Sequence, residues 1–211
     1  MSTKVLITGK LHPTAIEAFE NDSNIELIYK ADTPFEGYKE DLKTAEVIIS
    51  RSETAIDKRL IDHAPNLRII ARAAVGVGNI DLDYATEKGI LVMNTPGKNT
   101  NSAAEMTICL LLGMLRKLPE SQAKLKSGGW DRHMYTGNEL RNKKIGLVGL
   151  GHVGHRVAKF LLGFDADVYA YDPYISSEKF ERHNVKKVDS LLELAKISDI
   201  LSVHVPRNKE T

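Results

Sequence analysis

Lys144-Ile145-Gly146-Leu147-Val148-Gly149-Leu150-Gly151-His152-Val153-Gly154-His155-Arg156-Val157-Ala158 decides the fold of this 211-residue chain. An apolar run, Ile145 to Val148, meets Gly149-x-Gly151-x-x-Gly154, and apolar positions at Val153, Val157, Ala158 and Leu161 then recur at helical spacing. A strand feeding a helix through such a turn opens a βαβ unit built to hold a pyrophosphate. The first glycine permits the tight turn, the second lets backbone approach the phosphates, and the third lets the helix pack closely on its strand. The helix N-terminus adds N–H groups and partial positive charge.

A second apolar run, Asp167-Val168-Tyr169-Ala170-Tyr171, ends in Asp172, 18 residues beyond Gly154. A carboxylate at that spacing suits the adenosine ribose hydroxyls of NAD. Pro173 and Tyr174 follow, with no Arg or Lys for a 2′-phosphate, which favours NAD over NADP. The competing reading is a glycine turn in another doubly wound domain, with Asp172 only capping a loop.

Residues 1–98 alternate short strands and helices. Strands are expected at Val5–Ile7, Ile25–Ile28, Val47–Ile49, Leu67–Ala71 and Ile90–Met93. Helices are expected after His12-Pro13, from Asp57 to His63, and from Asp81 to Lys88. Such alternation implies a mostly parallel sheet with helices on its faces. Thr95–Asn99 is a plausible crossing into a second domain. A long apolar helix follows over about 102–118, buried nearly all round or covered on one side by a partner, and then a polar arm or long loop over 119–143. Beyond Asp172 come a helix near 176–181, a strand at 185–188, a helix at 191–195 and a strand at 200–203.

The fold class is therefore α/β, with two doubly wound parallel-sheet domains of Rossmann-like or flavodoxin-like type, over 1–98 and 99–211. The second domain shows three strands of one βαβαβ half and one strand of the other, so it reads as incomplete at its C-terminal end. The last apolar strand would be left as an exposed edge.

Lys plus Arg number 29 against 28 acidic residues, a balance that offers no electrostatic ground for nucleic acid or an anionic membrane as partner. Cys109 is the single cysteine, so an internal disulfide is impossible. Within Met106–Leu112 it reads as a packed core thiol. There is no signal-peptide h-region, and Met106–Leu115 is too short to span a bilayer, so a cytoplasmic protein is expected. No metal site is read from the sequence.

These blocks resemble the D-isomer-specific 2-hydroxyacid dehydrogenases, in particular their branch acting on 3-phosphoglycerate. The resemblance rests on Ile49–Ser52, Arg72–Asp81, Gly89–Pro96, Ser102–Glu105, Gly129–Arg132, the glycine loop, Tyr171–Pro173 and Val203–Pro206, in one order along the chain. It implies a substrate domain in the first segment and NAD in the second. Gly149, Gly151, His152, Val153 and Gly154 would surround the pyrophosphate, Asp172 would hold the ribose, Val205 would lie by the adenine side, and Val75 by the nicotinamide. The N–H groups of Val75 and Gly76 would hold the substrate carboxylate. Arg51 and Arg72 would face the substrate, and two guanidiniums would suit a phosphorylated acid. For these arginines, pairing with surface carboxylates is the competing reading. Trp130 reads as a packing residue and His204 as structural.

The chain departs from the family where Ala71-Arg72-Ala73-Ala74 replaces Gly-Arg-Ala-Gly, where Gly78 replaces an acid, and where His152 replaces Arg. The resemblance further implies a catalytic Arg, Glu and His, all downstream of Val203–Pro206. None is assigned here, and the expected catalytic residues lie beyond Thr211. The implied activity is NAD-dependent oxidation of a small D-2-hydroxy acid, 3-phosphoglycerate to 3-phosphohydroxypyruvate in serine biosynthesis. A non-catalytic NAD(H)-binding regulatory protein or a truncated product is the alternative. The resemblance also implies a homodimer through helix 102–118 and the following arm.

Overall fold

The computed structural model describes residues 2–206 and 211. The chain divides into two units, Met1–Lys98 and Asn99–Thr211, each with its own sheet.

In the first unit the elements run β1 (Thr3–Ile7), α1 (Pro13–Glu20), β2 (Ile25–Tyr29), a 3-10 turn (Phe35–Gly37), α2 (Lys39–Leu42), β3 (Val47–Ser50), α3 (Lys58–Asp62), β4 (Ile69–Arg72), α4 (Leu82–Glu87) and β5 (Leu91–Met93). The strands pair in parallel in the order β2-β1-β3-β4-β5. Successive side chains on a strand alternate between faces, and both faces here are covered, which is why the central strands are apolar without a break. Leu6, Ile48 and Ile70 enter a core with Leu42, Leu60 and Ala85. Val5, Ile7 and Ile49 turn the other way, against Ile16 and Phe19 of α1. Helix starts follow local chemistry. His12 accepts from the Thr14 N–H, Asp57 from Leu60 and Asp81 from Tyr84. The strand order reverses between β1 and β3, so a crevice opens beyond the carboxyl ends of the strands. Thr8, Ser50, Arg51 and Arg72 stand at those ends.

The second unit holds α5 (Thr100–Leu115), α6 (Leu118–Lys126), β6 (Lys144–Val148), α7 (His152–Leu162), β7 (Asp167–Tyr171), α8 (Ser177–Arg182), β8 (Lys186–Lys187), α9 (Leu191–Ile197) and β9 (Ile200–Val203). Its parallel order is β8-β7-β6-β9. Ile145 and Leu147 of β6 pack with Val157, Ala158 and Leu161 of α7 and with Ala104, Ile108 and Leu111 of α5.

Three expectations are corrected here. The long helix stops at Leu115, and Lys117 adopts a left-handed conformation, φ 52°. A separate helix, α6, then occupies part of the stretch read as an arm or loop. Pro119 lies in its first turn, where a missing N–H costs nothing, with Glu120 beside it and Lys124 and Lys126 in the last turn. Cys109 is exposed, not a core thiol. The buried stripe of α5 is Ala104, Ile108 and Leu111, and at 100° per residue Cys109 falls outside it, as do Met106, Leu110 and Met114. Trp130 is 78% exposed and does not pack.

Candidate functional site

In the second unit, β6 delivers the chain to Gly149 at φ +91°, a backbone state that side chains rarely adopt. A Cβ there would also meet Val205 Cγ1 at 2.8 Å and His204 O at 2.9 Å. The turn is thus shaped by the segment after β9 as well as by its own sequence. Gly154 faces the backbone of the same turn. A Cβ on it would lie 3.0 Å from Gly149 C and closer still to Gly149 O, so α7 can sit this near β6 only with glycine at 154. Gly151 is different: a Cβ would meet nothing within 4 Å. No packing requirement explains it, and the open side is the space a phosphate needs. Gly151 is the N-cap of α7 and supplies no side-chain cap, so the first-turn N–H groups at His152, Val153 and Gly154 face that space without a side-chain acceptor.

Asp172, half-buried after β7, closes the arrangement. Its Oδ2 accepts the Leu150 N–H at 2.9 Å and its Oδ1 the Tyr174 N–H at 3.0 Å. The carboxylate does cap a loop, and the same bonds fix it beside the glycine turn, with lone pairs left for further donors. The bond to Leu150 joins residues 22 apart and leaves no mark in either local sequence. A cavity of about 470 Å³ opens here, lined by Gly149, Gly151, Tyr171, Asp172, His204 and Val205 among others. Neither Lys nor Arg lines it among the described residues. The His204 imidazole is held below its ordinary pKa by burial, and its Nε2 lies 2.9 Å from Ser202 Oγ. That placement is structural, tying β9 to the turn through the His204 N–H and Val148 O as well.

In the first unit, Arg51 and Arg72 part company. Arg51 is exposed, with Nη1 donating to Lys10 O at 3.1 Å. Arg72 is only 5% exposed. Its Nε donates to Gly76 O at 3.1 Å and its Nη1 to Arg51 O. Burial draws the guanidinium below the ordinary arginine pKa, with Glu53 opposing. Neither arginine is in a carboxylate ion pair among the described residues. Arg72 therefore acts on backbone, holding the Val75–Gly76 loop against the end of β3, and Arg51 is the one whose charge faces solvent. Asn94 Nδ2 donates to Val75 O at 2.8 Å and Thr95 N to Ala74 O, which fixes the same loop from β5. The Val75 and Gly76 N–H groups have no acceptor among the described residues. Two rigidly held, unused donors near a guanidinium suit a carboxylate.

A family description of the catalytic domain of D-isomer-specific 2-hydroxyacid dehydrogenases matches residues 5–204. The chain belongs to that family. Among its relatives is D-3-phosphoglycerate dehydrogenase of Archaeoglobus fulgidus, 43% identical over 208 residues, which are 99% of this chain and 39% of that protein. The chain thus spans about two-fifths of that relative's length. Among solved structures, D-lactate dehydrogenase of Aquifex aeolicus, complexed with NAD and lactic acid, superposes with a TM-score of 0.83. It is 31% identical, the match covering 98% of this chain and 62% of that one. The NAD-bound 3-phosphoglycerate dehydrogenase of Entamoeba histolytica gives 0.81 at 28% identity, over 100% of this chain and 65% of that one. Two Rossmann-like parallel sheets are what the family fold requires, and both are present.

Among the described residues no helix is long and apolar enough to cross a membrane, and no cluster of His, Cys, Asp or Glu could hold a metal ion.

Proposed function

We propose that the second unit binds NAD(H) and the first a small 2-hydroxy or 2-oxo acid, as part of a D-2-hydroxyacid dehydrogenase acting on 3-phosphoglycerate. The observation that carries the cofactor reading is the open side of Gly151, set between an uncapped helix start and a carboxylate fixed at Asp172. The pyrophosphate would rest on the N–H groups of His152, Val153 and Gly154, and the ribose hydroxyls would donate to Asp172. Val205 would meet the adenine side. Among the described residues that line the cavity there is no Lys or Arg, which supports NAD over NADP. Bound NAD supplies the hydride acceptor.

For the substrate, the Val75 and Gly76 N–H groups would hold the carboxylate and Arg51 a phosphate group. Arg72 is assigned the lesser part of holding the loop that carries those donors. Val75 retains the role toward the nicotinamide that the family implies. The second reading is an NAD(H)-binding chain without turnover of its own.

A homodimer through α5 and the segment after it fits the exposed Met106, Leu110, Met114 and Trp130. A cytoplasmic location accords with a single cysteine in a metabolic-enzyme family.

Titration with NADH and NADPH, followed by nicotinamide fluorescence, tests the cofactor assignment. Saturable NADH binding at least about tenfold tighter than NADPH, roughly 1.4 kcal/mol, is expected. Equal affinity would remove the Asp172 argument. NAD reduction with D-3-phosphoglycerate in excess of D-lactate would establish the enzyme reading and rule out the second.

A further inference from the structure

The first turn of α7 carries a feature that the glycines do not explain. The rings of His155 and His183 stack with centroids 4.9 Å apart and planes 24° apart. His152 lies edge-on to His155 at 6.4 Å. His155 Nδ1 is 2.8 Å from the Gly151 carbonyl oxygen. A carbonyl only accepts, so Nδ1 carries the proton of this contact and Nε2 is left for other partners. His183 ends α8, where Lys179 and Arg182 stand in the last turn.

The charged groups bearing on His183 are His155, Arg182 and Lys179. From its own sequence α7 adds His152, Arg156 and Lys159. Among the described residues none of the groups bearing on His183 is a carboxylate. Burial, then His155, Arg182 and Lys179, hold the His183 imidazole below its ordinary pKa. Two imidazolium rings face to face at this distance repel, so the stacked pair accepts one added proton far more readily than two.

A pyrophosphate brings two negative charges to the N-terminus of α7, within about one helical turn of these rings. From this geometry we propose that dinucleotide binding by this chain is proton-linked, the His152–His155–His183 cluster taking up a proton as the pyrophosphate arrives. Cofactor affinity then rises as pH falls through the imidazole range. Lysine or arginine at the same positions would stay charged across that range and give no such response. The inference rests on the cofactor reading above and adds its regulation by pH.

Calorimetric titration of the 211-residue chain with NADH, at about pH 6.5 in two buffers of different ionisation enthalpy, counts the protons directly. Uptake of about half a proton is expected, with Kd tightening about three- to tenfold from pH 8 to pH 6. In the wild-type chain, the C2–H NMR resonances of His155 and His183 should shift to a higher apparent pKa when NADH is added. His183→Asn, a substitution that a helix C-terminus tolerates, should change both the uptake and the His155 titration. NADH binding with no uptake and a pH-independent Kd overturns the inference alone. So does uptake that is identical in His183→Asn with both resonances unmoved. Failure to bind NADH at any pH overturns the cofactor reading, and this inference with it.

Discussion

Alanine at Gly154 should cost both stability and NADH affinity and alanine at Gly151 chiefly affinity, although the two residues stand three apart in one motif. At Gly154 the new Cβ would lie 3.0 Å from Gly149 C, against the 3.4 Å where ordinary contact begins, and nearer still to Gly149 O. Both are backbone atoms of a turn already held at φ +91°, so neither can swing away. Helix α7 must retreat by at least about 0.4 Å along its contact with β6, an overpacking that costs on the order of 1–3 kcal/mol. For a unit of this size that lowers Tm by roughly 4 °C per kcal/mol. NADH affinity should fall as well, because the same shift withdraws the first-turn N–H groups. At Gly151 the Cβ enters open space, and the cost is that of a poorer N-cap, under about 1 kcal/mol. The methyl would nevertheless occupy the proposed pyrophosphate position, so NADH should bind at least about tenfold more weakly, about 1.4 kcal/mol. Urea denaturation and NADH fluorescence titration on both variants read the two effects apart. Wild-type affinity in Gly151→Ala would refute the pyrophosphate assignment. Wild-type stability in Gly154→Ala would refute the packing argument.

Other perturbations address the remaining parts of the site. Asp172→Asn replaces one of two acceptor oxygens by an amide donor facing an N–H, from Leu150 or Tyr174, and should cost about 1–3 kcal/mol in denaturation along with NADH affinity. Arg72→Met leaves Gly76 O without its donor and removes one of the donors to Arg51 O, which keeps the Thr54 N–H, and a loss of about 1–3 kcal/mol should appear in denaturant unfolding while NADH binding by the second unit is kept. An unchanged midpoint would show that this guanidinium does not hold the loop. Burial depresses the folded pKa of His204, so the unfolded chain binds the proton more readily. Its stabilising effect is complete above about pH 6.5 and declines as pH falls below that unfolded value toward the folded one. Tm measured from pH 8 to pH 5 should therefore fall less steeply in His204→Gln than in wild type. Superimposable profiles would exclude that source. Cys109 lies on the outward side of α5, so maleimide should label it in the native chain, and labelling should slow as concentration rises if α5 forms the dimer contact.

Much of the fold was legible because it is written in local periodicity. Continuous apolar triplets such as Val5-Leu6-Ile7 announce strands covered on both faces, and Asp57 and Asp81 announce helix starts by a bond each makes three residues away. The glycine loop and Asp172 were legible for the same reason, since a turn and its spacing are short-range properties. The helix over Leu118–Lys126 was not, because a polar helix without an apolar stripe is hard to tell from a polar loop, and only Pro119 and the charge order hint at it. The exposure of Cys109 and Trp130 was hidden as well, because composition says that a segment is apolar and not which side of it meets a core.

The sequence by itself determined the element order, the parallel sheets, the phosphate-type turn and the family to which these belong. Tertiary structure alone decided what each polar group does. It sent Arg72 inward to two carbonyls, left Arg51 outside, joined Asp172 to Leu150 across 22 residues, and stacked His155 on His183. A backbone turn is fixed by residues within a few positions of one another. The partner of a charge is fixed by whichever distant segment the sheet order brings alongside, and no local pattern carries that information.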